Sequence, residues 1–204
     1  MTILHASIPL FFGLVAVELL WSAWTGRSIS RVNASISDIS CGVLSQMVGI
    51  FDKAVTLGVY IWVGGHAAVQ RWMPGLPSWP ERNPFAGSAG NHVIDPLALL
   101  SWVVVFVLVD LCFYWSHRLS HEVNVLWAGH VVHHQSEEFN LSVALRQDAW
   151  QPLFSLWFQL PLALAGVPPA VFVSAYGVVI VYQFWIHTRF RSEEHTSELQ
   201  SRQY

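Results

Sequence analysis

The hydrophobic residues of this chain fall into long runs that are separated by polar or proline-rich segments. The first run extends from Ile8 to Trp24, which matches the roughly 17 to 25 residues of a transmembrane helix. Glu18 lies inside it. Because a carboxylate within a membrane faces other helices or water, Glu18 is interpreted as either a structural or a substrate-facing residue.

The second run, from Cys41 to Val69, is interrupted by Asp52-Lys53. It predicts either one kinked helix with a buried charge pair or two shorter pieces that meet at an interface. The following segment, from Trp72 to Pro96, is rich in proline and glycine. Since proline cannot continue a helix, this segment is predicted to be a loop outside the membrane core.

The third run, from Leu97 to Trp115, is the cleanest predicted span, and at about 1.5 Å per residue it covers roughly 30 Å. Two further runs, Trp150 to Ala165 and Ala170 to Ile186, predict a helical hairpin whose arms are each marginal for a full crossing. The pattern as a whole therefore predicts an all-α fold, a multi-pass transmembrane helical bundle.

Composition agrees with a membrane setting. The chain has 204 residues, of which 53% are hydrophobic and 11% are charged, whereas soluble domains carry about 25% charged residues. The formal charge of −3 offers no basic surface for nucleic acid. Cys41 and Cys112 form no CxxC spacing, which argues against a disulfide framework or a thiolate zinc site.

The candidate chemistry lies just beyond the third run, where five histidines occur within eighteen residues. They read as HxxxH followed by HxxHH, and helical residues three or four apart share a face. The amphipathic segment 122–129 is expected to fold the second group back over the first. Imidazole suits iron, copper, zinc and nickel, and so many nitrogen ligands beside a bilayer favour a pair of irons that activates oxygen. The predicted catalytic and metal-binding residues at this membrane face are His117, His121, His130, His133 and His134.

Asp110, Tyr114, His117 and His121 form one polar stripe along the same helix. Because a metal-bound imidazole usually donates its other N–H to a carboxylate or carbonyl, Asp110 is interpreted either as such an acceptor or as a partner of another helix. The last run returns His187 to a membrane face. The carboxylates after His134, those of Glu137, Glu138 and Asp148, are additional candidate ligands, but a solvated face is the preferred interpretation.

Two non-enzymatic classes of membrane protein also use histidines. A non-enzymatic membrane metal-binding or transport protein is expected to place histidines and carboxylates midway across several helices. A haem-binding electron carrier needs axial histidines on facing helices within the bilayer. The dense group at one face favours the oxygenase over both.

The two histidine motifs on a hydrophobic chain resemble the fatty acid hydroxylase/sterol desaturase superfamily. The strings FYWSHRLSHEVNVLWAGHVVHHQSEEFNLSVALRQ and YQFWIHT are most similar to its alkylglycerol monooxygenase branch. The resemblance implies that the five clustered histidines and His187 bind two irons and that a lipid is hydroxylated with dioxygen. No flavin or nicotinamide fingerprint is present, so the two electrons are expected to come from outside the chain. The resemblance implies tetrahydrobiopterin as the donor in the branch that cleaves ether lipids, and cytochrome b5 or a bacterial ferredoxin-like protein in other members. The implied location is the endoplasmic reticulum in a eukaryote or the inner membrane in a bacterium.

The chain also departs from this pattern. A second HxxHH is expected a few tens of residues after YQFWIHT, and the sequence does not contain one. Residues 1–190 are therefore interpreted as an incomplete membrane domain of this family. Residues 191–204 resemble the translation of a common sequencing adapter, and His195 within them is given no role. The chain as written is expected to be inactive and to bind fewer than two irons.

Overall fold

The computed structural model describes residues 3–26, 31–75, 79, 95–136 and 138–187. Within these ranges all regular secondary structure is helical and no strand is present, which confirms the predicted all-α bundle. Four segments are long and apolar enough to cross a membrane: Ala6–Thr25, Val32–Trp72, Pro96–Glu122 and Pro169–Ile186. The helices are α1 (Ile3–Thr25), α2 (Val32–Ala67), α3 (Val69–Trp72), α4 (Pro96–Glu122), α5 (Asn124–His134), α6 (Gln151–Leu164) and α7 (Pro169–Ile186), with a 3-10 turn at Val143–Leu145.

Helix α2 resolves the alternative that the sequence left open around Asp52-Lys53. The chain stays helical through this pair, so the second run is one helix of 36 residues. The Asp52 side chain is buried, and Lys53 donates a hydrogen bond to Gln46 on the same helix. Most of the predicted loop before α4, and the proposed boundary at residue 190, lie outside the described residues.

The larger hydrophobic core lies between α2, α4, α6 and α7. Tyr60 of α2 is almost fully buried and stacks on Phe172 with ring centroids 4.5 Å apart. Its hydroxyl donates to the carbonyl of Val167 at 3.1 Å, which satisfies its polar end. The α6–α7 turn contains Gly166 at a φ of +76°, where glycine avoids the steric cost of a left-handed backbone. This core holds together α4, which carries His117 and His121, and α7, which ends just before His187.

A second, smaller core joins α1 to the end of α7. The rings of Phe11 and Phe184 stack at 4.1 Å. Next to them, Glu18 accepts a hydrogen bond from the backbone N–H of Leu141 at 2.9 Å. Glu18 is only 1% exposed, so its carboxylate faces the loop between α5 and α6 and anchors it to α1.

The same loop corrects one interpretation of the sequence. Glu138 is 7% exposed, and it is therefore not part of a solvated face. Its carboxylate accepts hydrogen bonds from Arg31 and from the Asn140 side chain. A buried carboxylate needs such partners to offset its lost hydration. Glu137 lies outside the described residues.

The junction between α4 and α5 turns the chain back on itself. At its other end, away from this junction, α4 begins with Asp95 as its N-cap. The Asp95 side chain accepts hydrogen bonds from the N–H groups of Leu97 and Ala98, a favoured arrangement for an aspartate. The helix continues past the predicted end at Trp115 to Glu122. Val123 is extended, with φ −108° and ψ 117°, and α5 starts at once after it. The second histidine group is thereby folded beside the first.

Candidate metal centre

Four histidines from two helices converge at the end of the bundle. His117 and His121 lie in α4, whereas His130 and His134 lie in α5. One ligand nitrogen from each lies within 4.8 Å of the other three. The Nε2 atoms of His117 and His121 are 3.2 Å apart, and those of His130 and His134 are 3.1 Å apart. We call these four residues the histidine cluster.

His133 and His187 form a second group beside the histidine cluster. Their Nε2 atoms are 3.2 Å apart, and the centroid of the His133 ring lies 5.2 Å from that of His134. His187 follows the last residue of α7, so the geometry brings three helices to one centre. The spacing of the residues in the sequence did not predict how far His187 lies from the five histidines of α4 and α5.

Both rings of this second pair are held by main-chain carbonyls. The Nδ1–H of His133 donates to the carbonyl of Arg146 at 2.8 Å, and that of His187 donates to the carbonyl of Gln183 at 2.7 Å. In a neutral imidazole one nitrogen donates and the other accepts. The two Nε2 atoms that face each other therefore both carry lone pairs, and a cation rather than a hydrogen bond suits the space between them.

These nitrogens fit the donor set of a transition metal. Histidine nitrogens bind such ions at about 2.0–2.1 Å, so two neighbouring ligands on one ion lie roughly 3 Å apart. The three Nε2 pairs, at 3.1 to 3.2 Å, match this separation. Iron, copper, zinc and nickel all accept imidazole ligands, so the donor set indicates a transition metal without choosing among these.

Burial keeps the histidines in the form that binds metal. Desolvation, with smaller contributions from neighbouring imidazoles, lowers the pKa of His130 to about 2 and that of His187 to about 4. Desolvation likewise lowers the pKa of His133. All three are neutral at pH 7, and only neutral imidazole has a free nitrogen for a metal ion.

Aromatic rings surround the nitrogens and limit the access of water. Trp127 lies against the histidine cluster, with ring centroids 5.6 Å from His121 and 5.7 Å from His134. Phe113 stacks against His117 at 6.0 Å, and Phe139 against His187 at 5.7 Å. The centre is thus enclosed on several sides by apolar groups, although His121 itself is exposed.

Asp110 and Tyr114 lie apart from these contacts. Asp110 is exposed on α4, and among the described residues it has no hydrogen bond or ion pair. Tyr114 accepts a hydrogen bond from Arg118 at 2.9 Å. The acceptors found for His133 and His187 are carbonyls instead, so a role for Asp110 stays a prediction.

Comparison with known proteins identifies the family. Residues 102–203 match the family model described as fatty acid hydroxylase. The chain belongs to the fatty acid hydroxylase family. The part of this family domain that the structure describes contains most of α4, all of α5 to α7 and both histidine groups.

Similar proteins also include alkylglycerol monooxygenases of animals. The chain is 36% identical to that of Danio rerio over 188 residues, which are 90% of this chain and 36% of the relative. It is 36% identical to that of Homo sapiens over 182 residues, 88% of this chain and 36% of the relative. The protein of Caenorhabditis elegans is 28% identical over 157 residues, 77% of this chain and 26% of the relative. This fatty acid hydroxylase family member thus spans about a third of the length of the Danio rerio and Homo sapiens relatives, and no solved structure matches it.

Proposed function

We propose that this chain carries the ligand-bearing part of a membrane di-iron monooxygenase that hydroxylates a lipid. The observation that carries the proposal is the convergence of six histidines into two adjoining groups with their Nε2 atoms 3.1 to 3.2 Å apart. The family, the apolar helices and the relatives named alkylglycerol monooxygenase support a lipid substrate. An ether lipid is the substrate class that we infer from those relatives.

The metal would supply the activation of dioxygen. The histidine cluster would hold one ion, and His133 with His187 would contribute to holding a second. The chain's own residues would bind the metal ions and hold the ligand rings in position. Neutral imidazoles present their Nε2 lone pairs, two carbonyls fix the His133 and His187 rings, and Trp127 and Phe113 keep water from the nitrogens.

Hydroxylation places one oxygen atom of dioxygen into a C–H bond and reduces the other to water with two electrons and two protons. We propose that the electrons come from outside the chain, from tetrahydrobiopterin or cytochrome b5. We further propose the endoplasmic reticulum as the location in a eukaryote and the inner membrane in a bacterium. For the chain as it stands we expect no turnover, because the second group offers only two histidines among the described residues.

The first experiment tests whether the histidine cluster binds iron through its imidazoles. The detergent-purified chain is loaded anaerobically with ⁵⁷Fe(II), and Mössbauer spectra are recorded before and after exposure to air. High-spin iron with nitrogen ligands, lost when His130 is replaced by alanine, is expected. A haem absorption band, or the same iron spectrum in the variant, would overturn the proposal.

A chimera tests the reaction. The matching segment of the Danio rerio relative is replaced by this chain's residues 1–187, and membranes are assayed for oxidation of an alkylglycerol with tetrahydrobiopterin and dioxygen. We expect turnover that disappears with His130→Ala and persists with His66→Ala, whose ring lies on α2 and contacts only Trp62 among the described hydrogen bonds. A chimera that inserts correctly but never turns over would contradict the lipid-hydroxylase function.

A further inference from the structure

A buried polar network links the N-terminal half of α2 to the candidate metal centre. Asp38 is 1% exposed, and its Oδ1 accepts from Nη1 of Arg146 at 3.1 Å. Its Oδ2 accepts from the hydroxyls of Ser136 and Ser142, at 3.1 Å and 3.0 Å. Both carboxylate oxygens are thus occupied, and the ion pair bridges 108 residues of sequence.

Arg146 in turn reaches the last turn of α5. Its Nε–H donates to the carbonyl of Val132 at 2.6 Å, one residue before His133. Its own carbonyl accepts the Nδ1–H of His133 at 2.8 Å. The Arg146 guanidinium therefore links the loop between α5 and α6 to α5. The link lies beside the hydrogen bond between the Arg146 carbonyl and the His133 imidazole.

Two features position that carbonyl: the hydrogen bond from the Arg146 N–H to the Val143 carbonyl at 2.9 Å, and the contacts of the Arg146 side chain. Arg146 follows the 3-10 turn Val143–Leu145, and residues 146–148 have no regular secondary structure. A carbonyl in a helix or sheet is placed by its neighbours in the hydrogen-bond ladder, whereas the Arg146 carbonyl is placed by the end of the 3-10 turn and by the way the Arg146 side chain is held. Nη1 of Arg146 donates to Asp38 at 3.1 Å and to the hydroxyl of Ser37 at 3.4 Å. Because a hydrogen bond between two charged groups is stronger than one between neutral groups, the buried Asp38 carboxylate contributes most to the position of this nitrogen.

We propose that Asp38 is a positioning residue for His133 and that it acts through Arg146. By holding the Arg146 carbonyl against Nδ1, it selects the tautomer whose Nε2 lone pair faces His187. The partner of a ligand's second nitrogen sets both the tautomer and the orientation of the ring. The consequence for metal affinity rests on the proposed function, whereas the tautomer does not.

The direct test is the tautomer of His133 in the metal-free chain. The purified 204-residue chain is labelled with ¹⁵N-histidine in detergent at pH 7.5, and long-range ¹⁵N–¹H correlations distinguish Nδ1–H from Nε2–H. A His133→Gln variant assigns the signals. The wild-type ring is expected to be Nδ1–H, and Asp38→Asn is expected to reduce the population of that tautomer by at least half. A wild-type ring protonated at Nε2, or an unchanged Nδ1–H population in a folded Asp38→Asn chain, would overturn the proposal.

Asp52→Asn is the matched control. Asp52 lies on the same helix and is also buried, at 8% exposure, but its carboxylate oxygens have no hydrogen-bond partner among the described residues. Losing that charge is expected to leave the His133 tautomer unchanged. An equal effect in both variants would show general loosening of α2 and would refute a specific role for Asp38.

Arg146→Lys decides the question if Asp38→Asn does not fold. Lysine keeps a positive charge near Asp38, but it cannot donate to Val132 and Asp38 with the fixed geometry of the guanidinium. The accepting carbonyl stays in the chain, and only its position changes. The Nδ1–H population is again expected to fall by at least half, and an unchanged population would refute the mechanism.

Cobalt titration separates this inference from the proposed function. The wild-type chain is expected to bind cobalt in two steps, a tighter one at the histidine cluster and a weaker one at His133 and His187. In Asp38→Asn the weaker step is expected to lose about 10- to 100-fold in affinity, while the tighter step stays unchanged. A chain that binds no cobalt but shows the tautomer change would contradict the metal function and leave the positioning role intact. An unchanged weaker step, with a wild-type tautomer, would contradict the positioning role alone.

Discussion

The Nε2 atoms of His133 and His187 face each other at 3.2 Å, although 54 residues separate them in the sequence. Each ring gives its Nδ1–H to a main-chain carbonyl, so neither facing nitrogen has a proton to share. Two lone pairs at this distance repel each other in the absence of a cation. The pair is therefore suited to a metal ion that would accept both lone pairs.

Iron stoichiometry should reflect the unequal size of the two histidine groups. Four imidazoles of the histidine cluster lie within mutual reach, whereas the second group offers His133 and His187 alone among the described residues. We expect the purified chain to retain about one iron, and fewer than two, after anaerobic loading and desalting. Elemental analysis against protein concentration measures this ratio, and retention of two irons per chain would contradict the prediction.

His130 should be the most sensitive member of the histidine cluster. Its ring centroid lies 4.6 Å from that of His117 and 4.8 Å from those of His121 and His134. His130→Ala is expected to reduce iron affinity at least roughly tenfold, since even the hydrogen-bonding partners of metal ligands contribute about 10- to 100-fold. Competition with a chelator of known affinity gives the measurement.

His66→Ala is the control for that variant. His66 is exposed on α2, and its Nδ1 lies 2.8 Å from the Trp62 carbonyl. It belongs to neither histidine group, so its loss should leave iron affinity unchanged. Equal losses in both variants would indicate that iron binds to histidines nonspecifically.

Hydrophobic runs predicted most of the helices, because a membrane requires long uninterrupted apolar segments. The spacing of His117, His121, His130 and His134 also placed each pair on one helical face. Three features could not be predicted. The Arg146 carbonyl has no side-chain signature, Glu138 looked solvated in a polar segment, and the partner of Asp38 lies 108 residues away. Each depends on long-range packing of the loop, which local periodicity does not encode.

The buried histidines should make the metal-free chain sensitive to acid. In an unfolded chain His187 has a pKa of about 6.5, whereas in the folded chain burial lowers its pKa to about 4. Between these values the unfolded state binds more protons, so stability falls as the pH falls. The stabilising effect of neutral His187 is complete above pH 6.5 and is lost progressively down to pH 4.

Thermal unfolding of the metal-free chain at pH 7.5 and pH 4.5 tests this dependence. Each unit of pKa shift corresponds to about 1.4 kcal/mol, so His187 alone is expected to account for roughly 2 kcal/mol of the difference. His130 and His133 act in the same direction. His187→Gln should therefore be less sensitive to pH than the wild type. Equal melting temperatures of the wild type at both pH values would refute the prediction.

Gly42 should be irreplaceable because α2 approaches the 3-10 turn through it. A Cβ atom at this position would lie 2.1 Å from the carbonyl oxygen of Leu145, and that oxygen belongs to the main chain just before Arg146. Gly42→Ala is expected to destabilise the chain by at least about 1–3 kcal/mol, the usual cost of overpacking, despite the better helix propensity of alanine. Gly58→Ala is the matched control on the same helix, because its Cβ would meet nothing within 4 Å. Thermal unfolding in detergent should show a lower melting temperature for Gly42→Ala and an unchanged or higher one for Gly58→Ala. If both variants melt like the wild type, α2 does not pack against the turn as described, and the link from Asp38 to the metal centre fails with it.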